Sequence, residues 1–198
     1  MIDSFLSIES PSTGVFKAKG SKFISYAFPV NSENEIKEHL KKIKKEHYSA
    51  RHHCFAWRLG AKKDNFRVND DGEPSSSAGR PILGQIQKAD LSDILIVVVR
   101  YFGGTLLGVG GLIQAYKSAA ADALENAQIK EKIETISFEI DFEYSQMSQV
   151  MYILKKTKLP VLKKEFKMSC KIFSEIRKNE ADSLSEIFRK NEGINLKI

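Results

Sequence analysis

The chain reads as an α+β protein of two domains, and three observations carry that reading. The unbroken Ile/Val run from Ile94 to Tyr101 has the composition of a strand buried on both faces. It is followed by an alanine-rich stretch with helical spacing. Near Lys130 the composition changes, and from there the pattern runs strand, helix, strand, strand, helix, strand, the βαββαβ order of a split βαβ sandwich. No Gly/Ser-rich or Pro-rich linker marks the change, so the domains are placed at 1–130 and 131–198, meeting through a short stiff join at 130–133.

Taken in order, Gly14 to Ala18 and Lys22 to Val30 read as strands joined by the turn Lys19-Gly20-Ser21, with Phe16, Phe23 and Tyr26 as strand-favouring aromatics. A helix follows, because Ser32 and Glu35 have capping-box spacing and Ile36, Leu40, Ile43 and His47 fall on one stripe. The lysines between Lys37 and Lys45 form its solvated face. His53 to Leu59 alternates as a strand, Lys62 to Asn65 turns it, and Phe66 to Val68 returns. After the loop Asn69 to Gly79, a short helix carries Ile82, Leu83 and Ile86 and ends near Ala89. The central strand then runs into a glycine-rich turn, Phe102 to Gly111, and a helix from Leu112 to Ala127 whose small residues let it pack closely on the sheet. In the second domain the strands are Glu134 to Phe142, Val161 to Phe166, Ser169 to Ile176 and Ile194 to Ile198. The helices there are Ser145 to Lys156, with Met147, Val150, Met151 and Leu154 in register, and Glu180 to Lys190.

Composition narrows the function classes. A chain that is 42% hydrophobic and 28% charged buries real cores. Its longest apolar run is far short of the roughly 20 residues of a membrane helix, and Met1 to Ser4 does not begin a signal peptide, so a cytoplasmic location without membrane contact is expected. Two cysteines 116 positions apart, Cys54 and Cys170, make no disulfide framework and suit a reducing compartment. The net charge of +6 is spread over both domains, so it permits an RNA or ribosome partner without demanding one.

Three stretches carry candidate chemistry. The first is the run Val97 to Leu112, whose strand, glycine turn and helix match the layout that cradles phosphate with backbone N–H groups. It lacks the Lys-Ser/Thr of a nucleotide-binding P-loop and, with Ile113, the third small residue of a dinucleotide fingerprint. What remains is either close packing by glycine or an anion site with Arg100 as charge partner. The second is Arg51-His52-His53-Cys54. In a strand only His52 and Cys54 share a face, which does not make a zinc set, and a Cys54 nucleophile would need a histidine within reach as base. A strand cysteine packed in the core and histidines bonded to nearby carboxylates or carbonyls is the simpler arrangement. The third is the loop NDDGEPSSSAGRPIL. Asp70, Asp71 and Glu73 are placed to cap backbone groups, to pair with Arg80, to hold a ligand, or to serve as acid and base with His53, while Ser75 to Ser77 sit where a helix cap belongs.

KGSKFI at Lys19 to Ile24, HHCFAW at His52 to Trp57, DDGEPSSSAGRPIL at Asp70 to Leu83 and VVVRYFGGTLLGVGGLIQAY at Val97 to Tyr116 together resemble the YigZ/Impact family, in the family's order. The resemblance covers about residues 15 to 125. It implies an α/β first domain like a small-subunit ribosomal protein domain and a ferredoxin-like second domain, a pair similar to two successive domains of elongation factor G. It also implies a role in translation, since eukaryotic members regulate it under amino-acid starvation by competing for an activator of an initiation-factor kinase. Two departures stand out. The family's loop reads Pro-Ser-Gly-Thr-Ala-Gly where this chain has Pro74-Ser75-Ser76-Ser77-Ala78-Gly79, so serine argues against an unusual backbone angle at Ser76 while Ser77 keeps the hydroxyl. With the first strand beginning almost at once, the N-terminal interaction domain of the eukaryotic members is not expected here.

The expected function is therefore binding, to RNA or the ribosome, with regulation of translation as the setting and no cofactor or metal required. The surface expected to carry it joins Arg51, His52, His53, Asp71, Glu73, Ser77, Arg80 and Arg100 with backbone donors at Gly103, Gly104, Gly108 and Gly110. A hydrolase using Asp70, Asp71, Glu73 and His53, with Cys54 as a possible nucleophile, is the alternative; it requires these groups to converge on an open pocket. A protein-interaction adaptor is the third reading and requires an exposed apolar patch.

Overall fold

The computed structural model describes residues 4–166, 169–191 and 193–197. The chain divides into two compact units, Ile2–Lys132 and Ile133–Ile198.

The first unit contains β1 (Ser4–Ile8), β2 (Ser12–Ala18), β3 (Ser21–Pro29), α1 (Glu33–Glu46), β4 (His52–Leu59), β5 (Asn65–Asn69), α2 (Gly79–Lys88), β6 (Ile94–Tyr101), α3 (Gly108–Glu125) and β7 (Ile129–Ile133). Five strands form an antiparallel sheet in the order β2-β3-β6-β4-β5, so the Ile/Val run lies at its centre, flanked by β3 and β4. Because neighbouring side chains on a strand point to opposite faces, the parity of each residue decides its core. Ile94, Ile96 and Val98 join Cys54 and Ala56 under α2 and α3, while Leu95, Val97 and Val99 join Trp57 and Leu59 under Ile36 and Ile43 of α1. Both faces of β6 are thereby covered, which is why this strand is apolar at every position from Ile94 to Val99.

α3 sits close to the sheet because its contact face is alanine. Ala115, Ala119, Ala120 and Ala123 are fully buried, and a Cβ added at Gly14 of β2 would strike the backbone nitrogen of Ala123. Two serine hydroxyls fasten this approach, Ser12 to Ala123 O at 2.7 Å and Ser25 to Ala119 O at 2.6 Å. α1 begins as its sequence predicts, with Ser32 accepting from Glu35 N, but the Glu35 carboxylate takes the N–H of Asn31, one residue before the cap.

Three features of this unit depart from the sequence reading. β1 was not anticipated, and the stiff join expected at 130–133 lies within a strand, Ile129–Ile133, paired with β1. α3 starts at Gly108 and not at Leu112. Gly108, Gly110 and Gly111 occupy its first turn, where the roughly 1 kcal/mol helix penalty of each glycine makes the segment look like a loop.

The second unit contains β8 (Thr135–Phe142), α4 (Met147–Lys156), β9 (Lys163–Phe166), β10 (Cys170–Arg177), α5 (Ala181–Arg189) and β11 (Asn195–Lys197). Its sheet order β11-β8-β10-β9 makes it a ferredoxin-like βαββαβ fold. Phe138, Ile140 and Phe142 pack against Val150, Leu154, Leu184 and Phe188. Met151, expected in the core, is partly exposed, and Ile153 is buried instead. Ile198, the expected end of the last strand, lies outside the described residues. No helix among the described residues is long and apolar enough to cross a membrane.

Candidate functional site

The site is built around Arg100. Strand parity places it on the face that α2 and α3 cover, in line with Val98 and Ile96, and the registers put Phe23 of β3 on one side of it and His52 of β4 on the other. A guanidinium at the end of a central strand needs partners that the sheet itself does not supply. They come from the loop and from α3. Nη1 of Arg100 donates to Glu73 Oε1 at 2.7 Å, and the hydroxyl of Tyr116 donates to the same oxygen at 2.7 Å. The guanidinium carbon lies 5.6 Å from the ring centres of both Phe23 and Phe102, within cation–π range. Arg100 is only 6% exposed, and its Nε has no hydrogen-bond partner.

The acidic loop is organised inward. Asp70 accepts from the N–H groups of Ser76 (2.8 Å), Ala78 (3.0 Å) and Gly79 (2.8 Å), and so caps α2 from eight residues upstream. Asp71 accepts the N–H of His53 at 2.7 Å, and its carbonyl receives Nδ1 of His52 at 2.8 Å. Glu73 is held by Arg100 and Tyr116. The serines were expected to cap α2, yet the Ser77 hydroxyl donates to Pro74 O at 2.6 Å and the cap itself is Ala78, which has no side-chain acceptor. Asp70 fills that role because its carboxylate reaches three amides at once.

Ser76 overturns another expectation. Its φ is +62°, in the left-handed region that costs an ordinary residue about 1–2 kcal/mol, so the backbone keeps the turn that a glycine would take there. Asp71 also has positive φ, at 42°, next to Gly72 at 87°.

Above Arg100 a cleft of about 330 Å³ opens. Arg51, His52, Glu73, Phe102, Leu106 and Val109 line it, together with the first turn of α3, and the Arg51 guanidinium lies 6.0 Å from the ring centre of Phe102. That turn has neither a capping side chain nor an acidic residue. Where a Cβ would stand at Gly104, Gly108 or Gly110 there is open space, so no neighbouring atom of the fold requires glycine at Gly110. Gly108 and Gly104 have φ of +71° and +85°, which explains those two by conformation.

The remaining candidates are dispersed. Gly103 is pressed against the backbone of Gly20 and Ser21 at the β2–β3 turn, where any side chain would collide. Arg80 is exposed on α2 and pairs with none of the loop's acids among the described residues. His53 is on the opposite face of β4, donating Nε2–H to His47 O at 3.1 Å; burial holds its imidazole below the usual value. Cys54 is fully buried, with Sγ 3.0 Å from Asp70 O and 3.3 Å from Tyr116 Oη, and burial pushes its thiol far above the ordinary range. Burial likewise drives the Tyr116 hydroxyl upward, helped by the adjacent Cys54 and Glu73. Asp70, Asp71, Glu73, His53 and Cys54 therefore do not converge on one open pocket. Sequence reasoning missed Tyr116 and Phe102 as members of the site. A lone tyrosine among alanines was the available signal for Tyr116, because a helix packed this closely has room for a large polar side chain only where something receives its hydroxyl.

Comparison with known proteins places the chain among relatives. Residues 19–124 match the Impact N-terminal domain. A Haemophilus influenzae protein named IMPACT family member is 35% identical over 178 residues, covering 88% of this chain and 86% of the relative. The Escherichia coli IMPACT family member YigZ is 36% identical over 155 residues, covering 77% and 76% respectively. A crystal structure described only as that of a hypothetical protein superposes with a TM-score of 0.76 at 28% identity, covering 99% of this chain and 97% of the other.

Proposed function

Because this chain belongs to the Impact family, we propose that it is a binding protein of the translation apparatus, one that meets RNA or the ribosome through the cleft above Arg100. The observation that carries the reading is the direction of the charges. All three loop carboxylates are already engaged, Asp70 and Asp71 by backbone N–H groups, Asp71 also by Lys44 at 3.6 Å, and Glu73 by Arg100 and Tyr116. Glu73, the one carboxylate lining the cleft, is already held by Arg100 and Tyr116, and the other polar groups there are Arg51 and His52 beside the first turn of α3, which has no capping side chain. Such an arrangement seeks an acceptor, and the phosphate backbone of RNA is the abundant one in this setting.

The same geometry weighs against the hydrolase alternative, whose acid and base would both have to be withdrawn from structural bonds. An exposed apolar rim, with Leu106 82% and Val109 53% exposed, favours protein contact as the second reading.

Cosedimentation of the full chain with ribosomes across a salt series tests the proposal. Retention should fall with salt, and Arg51→Ala should lower the slope by about one contact. No retention of ribosomes or RNA at low salt removes the proposal.

A further inference from the structure

The cleft is larger and more apolar than a phosphate contact alone requires. Its volume of about 330 Å³ lies at the lower end of small-ligand pockets, enough for one nucleotide-sized group. Arg51 and the first turn of an 18-residue helix that has no capping side chain line it. At the floor is Arg100, more than nine-tenths buried, with Nε unpartnered. The ring of Phe102, 40% exposed, lines it beside them, with the Arg51 guanidinium 6.0 Å and the Arg100 guanidinium 5.6 Å from its centre. Gly110, which no packing contact explains, leaves the backbone there open to close approach.

We infer that the cleft takes one unpaired nucleotide of a single-stranded RNA, its phosphate against Arg51 and the first turn of α3 and its base against the exposed ring of Phe102. This rests on the RNA-binding reading above and makes it specific. Helix amides and arginine recognise the phosphate. Aromatic rings and guanidinium planes stack on a splayed base, whatever its sequence. A duplex keeps its bases stacked on one another and offers none to Phe102.

The test is fluorescence anisotropy of the full chain with a labelled short single-stranded oligoribonucleotide and with the matching duplex. The single strand should bind more tightly. Phe102→Ala should weaken it by about 5- to 150-fold, the range measured for loss of one base–aromatic stack, while Phe102→Trp, which keeps a stacking face, should retain it. Circular dichroism and a urea unfolding midpoint verify that each variant is folded. Equal affinity for duplex and single strand, or an unchanged affinity in Phe102→Ala, overturns the nucleotide inference and leaves ribosome binding standing. Loss of binding in both folded Phe102 variants overturns stacking. Retention of ribosomes without binding of free RNA points to a protein contact and also overturns it. No binding of ribosomes or RNA at all removes the underlying reading instead.

Discussion

Replacing Glu73 by alanine tests whether its carboxylate is structural or held ready for chemistry. The variant strands Arg100, 6% exposed, without its counter-charge, and it removes the acceptor of the Tyr116 hydroxyl. Breaking a buried ion pair by removing one partner costs about 3–5 kcal/mol, and an unsatisfied buried hydroxyl adds about 1–3 kcal/mol. These terms overlap because both arise at the same carboxylate oxygen, so a total of about 4 kcal/mol is expected. With a urea slope of about 2 kcal/mol/M, the unfolding midpoint moves down by about 2 M. Trp57 is the sole tryptophan, 5% exposed in the core under α1, so its emission follows the first unit alone. Glu73→Gln keeps an acceptor and should lose about half as much. Adding Arg100→Met to Glu73→Ala should recover most of the loss, since an absent pair is far cheaper than a broken one. A loss below about 1 kcal/mol for Glu73→Ala would refute the reasoning and return the carboxylate to the candidates for catalysis.

Three further outcomes are expected. Ser76→Gly should raise the midpoint slightly, because relief of about 1–2 kcal/mol at φ +62° exceeds the roughly 0.5–1 kcal/mol entropic cost of glycine; a lowered midpoint would show that the serine makes an unseen contribution. Cys54 should resist a thiol reagent at neutral pH until the first unit unfolds, as peptide mapping of the alkylated chain will show; rapid labelling of the folded chain contradicts its raised thiol. His53 is held below its ordinary 6.5, chiefly by burial. Between that lowered value and 6.5 the unfolded chain binds more protons than the folded one, so stability is full above 6.5 and declines as pH falls through the window. Urea titrations over this range should show the decline, and His53→Gln should flatten it; an identical slope in the variant excludes His53 as the cause.

The strongly periodic parts of the fold were legible in the sequence. The apolar run of β6 and the alanine face of α3 each announce burial directly, and the βαββαβ order of the second unit follows from alternation alone. β1 and β7 were not legible, because Ile-Lys-Glu-Lys-Ile between Ile129 and Ile133 has no buried face to pattern it. The first turn of α3 was hidden by glycine. In the site, strand parity correctly separates His52 and Cys54 from His53, whereas the partner of Arg100 depends on where a loop 27 residues earlier returns to the sheet. Only the assembled sheet decides that Arg100, and not the exposed Arg80, pairs with Glu73.

Binding groups commonly sit on mobile loops, but in the site proposed above Arg100 and His52 belong to adjacent strands bonded directly to each other in a five-stranded sheet. Their positions are fixed before any ligand arrives. Little side-chain freedom is left to lose on association, so most of the interaction energy remains available as affinity. Recognition by such a rigid floor is lock-and-key: discrimination rests on whether the ligand's own shape fits, and association proceeds without waiting for the protein to rearrange.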